Sequence, residues 1–240
     1  MQINKSYLTY CTNIHSGESW EEHFSAIKEH FPIIKKQLSP NQSMGIGLRL
    51  SNTASLELLK DKNIENFKKW MIKEKGYVFT MNGFPYGDFH QTRVKDNVHS
   101  PDWTTNERVE YTLRLFQILS ELVPENIDGG ISSSPLSYRH WHSDDAMNQV
   151  KKKSAENILK IVEQLIHIKQ KTLKVLHLDI EPEPDGVLET GDEFIDWFDS
   201  YLFPIGVKFI SEKFVVKSVS KTLANQAVFS ALRPTICATV

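Results

Sequence analysis

The sequence predicts an α/β protein built from repeated strand–helix units around a parallel sheet. Three observations lead there. Short runs rich in aliphatic, aromatic and β-branched residues alternate with amphipathic stretches of helical period, five times in succession. No change in composition divides the chain internally. Polar residues (His15, Asn82, Ser132 to Ser134, Glu181) fall just past the strand ends. Because connections between parallel strands are right-handed, repeating the unit gives either a doubly wound sheet or a closed (β/α)8 barrel. Periodicity does not choose between them. The polar strand ends favour the TIM barrel, whose active sites lie there.

Each element has its own signal. Tyr7 to Thr12 reads as a strand, and Ser19 then offers an N-cap to a helix from about Trp20 to Gln37, with Trp20, Phe24, Ile27 and Phe31 on one stripe. Residues 43–51 form the next strand, and Ser55 to Lys73 a helix carrying Leu56, Leu59, Ile64, Phe67 and Trp70. The apolar run Tyr77 to Met81 is the third strand. It breaks at Asn82–Gly83 into a loop of about twenty residues holding Asp88, His90, Arg93, Asp96 and His99, a length that usually marks a functional loop. Thr105 caps a helix through Leu122. A turn over 124–130 leads to a strand at 131–134, and a long helix runs from Asp144 to Lys169. Residues 173–180 are the fifth strand, ending in the GluProGluPro segment, and Glu193 to Tyr201 begins a fifth helix.

Composition bounds the function. With 240 residues, 40% of them hydrophobic, the chain can build one large core. A formal charge of −2 disfavours nucleic acid as a partner, and Lys151 to Lys153 reads as a solvated helix face. The two cysteines, Cys11 and Cys237, match no zinc or redox spacing and fit a reducing cytoplasm. Met1 to Cys11 has no signal-peptide pattern, and no run is apolar enough for a membrane span. Neither a dinucleotide fingerprint, a P-loop nor a nucleophile elbow is present.

The candidate site gathers at the strand ends. Glu181 comes directly off a strand, where a carboxylate binds a divalent cation or exchanges a proton with a sugar carbon. Glu183, two residues on, shares its face unless the prolines rotate it. We assign Glu181 and His90 to catalysis, and His15, Asn82, Asp88 and Arg93 to substrate binding. Imidazole, guanidinium and carboxylate groups beside a strand end suit a small-molecule metabolite that is polar and anionic or sugar-like. His177 reads as a satisfied core histidine, and His140 and His142 are too weak a pair to argue for zinc.

The segments 8–20, 45–51, 79–90, 94–103 and LeuAspIleGluProGluProAsp (178–185) resemble the metabolite traffic protein EboE family, within the xylose-isomerase-like TIM barrels. The resemblance covers about residues 5–205 and implies a partial barrel there, with five to six of the βα units. It implies kinship with sugar-phosphate isomerases and epimerases and a role in secondary metabolism. It also implies a divalent metal (Mn, Mg or Zn) held by a Glu, an Asp, a His and a second Glu on successive strands. Glu181 matches the first of these ligands, and the other three have no counterpart here. A metabolite-binding barrel without turnover, or an inactive truncated product, are the alternatives.

Residues 206–240 depart from the family pattern. No acidic residue follows Glu212, and the last stretch lacks an amphipathic repeat. The family would show a TyrAspxCysHis strand, and codons for Tyr-Asp-Met-Cys-His read one nucleotide late give Thr-Ile-Cys-Ala-Thr, the text of Thr235 to Thr239. The expectation is an atypical, frameshifted tail.

Overall fold

A computed structural model describes residues 2–3, 6–87 and 95–214. Five parallel strands form one sheet: β3 (Thr9–Cys11), β4 (Met44–Arg49), β5 (Gly76–Asn82), β6 (Gly129–Ser133) and β7 (Leu176–Ile180). They stand side by side in chain order. A doubly wound sheet reverses its order part-way; this one does not. Right-handed crossovers in unreversed order put all connecting helices on one face and leave an inner face opposite. A two-stranded antiparallel ribbon, β1 (Gln2–Ile3) with β2 (Ser6–Tyr7), precedes the sheet. The α/β class is as expected, with five parallel strands, and closure to eight is not seen among the described residues.

The helices are α1 (Trp20–Leu38), α2 (Asn52–Leu58), α3 (Asn63–Glu74), α4 (Asn106–Leu122), α5 (Asp144–Thr172), α6 (Gly191–Trp197) and α7 (Phe203–Lys213). Their starts follow from capping chemistry. Ser19 and Glu22 form a reciprocal capping box at α1, Thr105 accepts from Arg108 N at α4, and Thr190 with Glu193 repeats the box at α6. The helical stripes meet one side of the sheet in a core that includes Ile27, Phe31, Phe67, Leu115, Phe116, Ile158, Ile161 and Val162, all fully buried. No helix among the described residues is long and apolar enough to cross a membrane.

Several boundaries differ from the sequence expectation. The helix expected over Ser55 to Lys73 is two helices. Ser51, not Ser55, caps the first by accepting from Ala54 N at 2.9 Å. Asp61 then adopts a left-handed φ of 51°, and Asn63 Nδ2 donates to Glu57 O at 2.9 Å across the break. The first predicted strand divides at Leu8 between the ribbon and the sheet. Beyond α6, a π-helical turn (Phe198–Leu202) carries the chain into α7, which runs through residue 205 to Lys213.

Strand β6 begins earlier than expected, at Gly129, where its ladder to Leu176 of β7 starts, and its glycines face crowded neighbours. A Cβ on Gly130 would lie 2.4 Å from His177 Cε1 and 2.7 Å from Asp179 Oδ2. Gly130→Ala is therefore expected to cost about 1–3 kcal/mol, the usual range for overpacking. Urea unfolding followed by circular dichroism measures it, and a loss below about 0.5 kcal/mol would show that the inner face has room to spare.

Candidate functional site

The long loop after β5 is fastened at both ends by polar side chains of α4. Asn82 Oδ1 accepts from Phe84 N at 2.9 Å, which turns the chain out of the strand. Arg108, fully buried, donates from Nη1 to Gly83 O at 2.7 Å, from Nη2 to Phe84 O at 3.0 Å and from Nε to Pro101 O at 2.7 Å. Burial pulls its pKa down to about 10, so it stays charged at neutral pH. One turn on, Tyr111 OH donates to Leu50 O at 2.5 Å and lies 3.2 Å from Pro85 O. At the far end Trp103 is fully buried, with Nε1 donating to Ser133 Oγ at 3.1 Å and its carbonyl accepting from Asn157 Nδ2 at 2.8 Å.

Fixed in this way, the loop delivers the 3-10 turn Lys95–His99 over the strand ends. His99 is 3% exposed and packs against Phe84, Tyr138 and Trp141, with ring centroids 5.3, 5.4 and 6.4 Å away. Its Nε2 is 3.2 Å from Glu183 Oε1, and its buried Nδ1 has no hydrogen-bond partner among the described residues. An unpartnered acceptor costs less than an unpartnered N–H donor here. The tautomer that satisfies most is therefore Nε2–H donating to Glu183. Burial lowers the His99 pKa, with Arg108 adding to the effect.

The GluProGluPro segment meets this histidine from β7. Glu181 N donates to Ser133 O at 3.0 Å, one step beyond the strand, so the backbone is still in register with β6 where the carboxylate begins. Burial raises the Glu181 pKa, partly offset by a hydrogen bond from Ser132, and Asp179 raises it further. Glu183 is pushed up to about 7, first by burial and then by Glu181. The loops after β6 and β7 are zipped together by the bridge between Tyr138 and Gly186, and Arg139 N donates to Asp185 O at 2.8 Å. Asp96 Oδ2 accepts from Trp141 Nε1 at 2.9 Å, joining the His99 turn to the same zipped pair.

A second polar cluster beside it imitates a nucleophilic triad but is wired differently. Ser137 is fully buried; its hydroxyl lies 2.8 Å from His142 Nε2 and also donates to Asp102 Oδ2. In a working triad the carboxylate bonds the far ring nitrogen and the serine proton goes to the histidine. Here the single hydroxyl proton goes to Asp102, so Ser137 accepts from histidine and is no nucleophile. The arrangement holds the loop after β5 to the loop after β6.

The expected site residues separate. Glu181 is in the cluster with Glu183 and His99. Asn82 stands two strands away at the end of β5, where its side chain shapes the turn. His15 is bonded to Tyr10 OH and stacks on His30 at 4.5 Å, by β3 at the opposite end of the strand order from Glu181. Asp88, His90 and Arg93 lie outside the described residues. His140 and His142 turn to different partners, Asp185 and Ser137. His177 is satisfied, as expected, by Asp179 at 2.8 Å. Sequence reasoning placed His99 in the right loop without giving it a role; its partner in Glu183 is a tertiary fact that no local spacing announces.

Comparison with protein-family models, with curated proteins and with solved structures finds no match to this chain. Among the described residues, no group of three or more His, Cys, Asp or Glu side chains is arranged to hold a metal ion. Glu181 has no complete set of metal ligands around it among those residues.

Arg108→Met keeps the side-chain volume but leaves three carbonyls without a donor. The expected loss is roughly 3 kcal/mol or more, at about 1–3 kcal/mol for each abandoned group. Arg108→Lys should recover only part of it, because an ammonium lacks the planar fork. Denaturant unfolding of the three proteins checks both statements, and equal stability of all three would show that the clamp holds nothing.

Proposed function

We propose that the Glu181, Glu183 and His99 cluster is a proton-transfer site acting on a small polar metabolite, in the manner of a sugar isomerase or epimerase. The contact between His99 Nε2 and Glu183 Oε1 at 3.2 Å, with Glu183 poised near neutrality, carries the reading. A general acid–base works best when its pKa lies near the working pH. Placement at the C-terminal ends of parallel strands in sequential order supports it, as in TIM barrels, and the EboE-like segments agree.

The chemistry follows from the two carboxylates. A carboxylate takes a proton from a carbon beside a carbonyl, and the C–H electron pair moves into the resulting enediolate. The neighbouring carboxyl, neutral because burial and the adjacent charge favour its protonated form, returns a proton to the other face or to the next carbon. His99 holds the Glu183 oxygen in place and hands its Nε2 proton into that hydrogen bond. Phe84, Tyr138 and Trp141 surround the imidazole and keep water from it.

Incubating the protein with small polyhydroxylated carbonyl compounds in D2O tests the reading by NMR. Deuterium entering at a carbon next to the carbonyl, and its loss in Glu183→Gln, is the expected result. Binding without exchange would move the protein to metabolite handling without turnover. That second reading has one observation in its favour, the missing companions of Glu181 among the described residues.

The same cluster makes a pH prediction. Glu183 binds its proton more tightly when folded (about 7) than when unfolded (4.5). Between those values the folded state holds the extra proton, so this group's contribution to stability falls as pH rises from about 4.5 to about 7, then levels off. Glu183→Gln should flatten that slope and equal or exceed the parent in melting temperature at pH 8. His23 works in the opposite direction. Burial, with Arg49 and His15, lowers its pKa to about 4, so its contribution is full above 6.5 and lost as pH falls toward 4. Melting curves across this range in both proteins separate the two slopes.

A further inference from the structure

A proton-transfer site needs a hydrogen-bond donor for the oxygen on which negative charge develops. Around Glu183 and His99 most donors of the described residues are already engaged. Arg108 serves the carbonyls of Gly83, Phe84 and Pro101. Arg139 turns to Glu193, to Glu189 and to the carbonyls of Gly186 and Val187. Trp141 Nε1 donates to Asp96, Ser137 Oγ to Asp102 and His99 Nε2 to Glu183. The Tyr138 hydroxyl stands apart from this group.

Backbone contacts place Tyr138. It pairs with Gly186, and a hydrogen bond flanks the pair on each side: Val187 N donates to Ser137 O at 2.9 Å, and Arg139 N to Asp185 O at 2.8 Å. Gly186 N in turn donates to Glu183 O at 3.1 Å, so Tyr138 is fixed to the turn that carries Glu183. Gly186 opposes it without a side chain, and a Cβ there would lie 2.4 Å from Pro135 Cγ. The neighbours Ser137 and Arg139 send their side chains to Asp102 and Glu193. The Tyr138 ring lies instead on His99, with centroids 5.4 Å apart, and is held by His140 at 5.3 Å and Trp141 at 5.6 Å. Burial, then Asp185 and Asp96, push its pKa above the ordinary phenol range. The phenol is therefore a neutral O–H donor, in the field of the two loops that meet at His99.

Resting on the proton-transfer reading of Glu183 and His99, we propose that the Tyr138 hydroxyl is a further catalytic group of this site, the donor to the substrate oxygen that becomes the enediolate. When a carboxylate removes the proton beside the carbonyl, the C–H pair forms the C=C bond and the carbonyl π pair moves onto oxygen. The phenol donates a hydrogen bond to that oxygen and keeps its own proton. On collapse the oxygen pair re-forms the carbonyl, and the C=C pair takes a proton from the neutral carboxyl. The substrate is then a hydroxycarbonyl compound whose carbonyl oxygen faces the loop after β6 while its reacting carbon faces Glu183.

Deuterium exchange into dihydroxyacetone and D-fructose, followed by NMR with the full chain in D2O, is the test. Tyr138→Phe keeps the ring against His99 and removes only the hydroxyl. It should lower kcat about 100-fold, the effect of losing one oxyanion donor, with KM changed less than about threefold and the melting temperature nearly unchanged. Replacing Tyr138 by 3-fluorotyrosine, a more acidic phenol, should retain exchange and move its alkaline fall to lower pH, a change that packing alone would not produce. If Tyr138→Phe fails to fold, the fluorotyrosine profile carries the test. Exchange by the parent with an equal rate in Tyr138→Phe, or an alkaline limb that fluorotyrosine does not move, would overturn this inference and leave the proton-transfer reading standing. No exchange by the parent with either ketose would overturn both.

Discussion

A buried guanidinium holds the candidate site in place. Arg108 sits inside the protein with no carboxylate in hydrogen-bond contact among the described residues, an expensive position for a charge, and its cost is offset by three backbone carbonyls that have no other donor among those residues. Those carbonyls belong to Gly83, Phe84 and Pro101, the two ends of the loop after β5. Closing a loop of that length costs entropy but only a few points need to be held. Arg108 and Tyr111 hold one end, Arg108 with the Trp103 contacts holds the other, and the Lys95–His99 turn follows from both. The helix that provides them is itself started by Thr105, immediately after the loop. Capping, clamp and histidine are thus one local construction.

The electrostatics of the cluster depend on what the neighbouring cations are already doing. Arg139 is engaged by Glu193 at 2.8 Å and by backbone carbonyls, His140 by Asp185, and His142 by Ser137. None of them neutralises Glu183. Two half-buried carboxylates a dipeptide apart then favour a proton between them over two charges, which is the condition for acid–base work and an unfavourable one for stability. The only described group in contact with the Glu183 carboxylate is a histidine that burial keeps neutral.

Much of this architecture was legible in the sequence, for local reasons. Ser19, Thr105 and the apolar stripes of α1, α4 and α5 announce their helices because capping and periodicity act over a few residues. Glu181 was legible for the same reason: it is the first polar side chain after an apolar strand. The break between α2 and α3 was hidden, because Leu59 continues the apolar stripe across a turn closed by Asp61 and Asn63. A bulge in β5 was hidden as well. The run Tyr77 to Met81 looks regular, and only pairing with β4, Ile46 to Val78 and Gly47 to Thr80, shows that Phe79 has no partner there. His99 differs again, since its burial is imposed by Arg108 nine residues later in the chain, and its meaning by Glu183 on another strand. Residues 88, 90 and 93 lie outside the described part of the loop.

The unreversed strand order ties these separate features to one geometry. With every crossover on one side, the inner face must be built by the strands alone, and side chains alternate between the two faces along each of them. On β7 this sends Leu176, Leu178 and Ile180 into the helical core and His177, Asp179 and Glu181 to the inner side. Three ionisable groups in alternate positions of one strand form a polar column along the sheet. Gly130 on the adjacent strand exists where that column would otherwise meet a Cβ. The column has two different ends: at the top it joins Glu183 and His99 beneath the clamped loop, and at the bottom it faces Tyr7 and Phe79 across one cavity. Asp179 belongs to both, since it raises the Glu181 pKa and bonds His177.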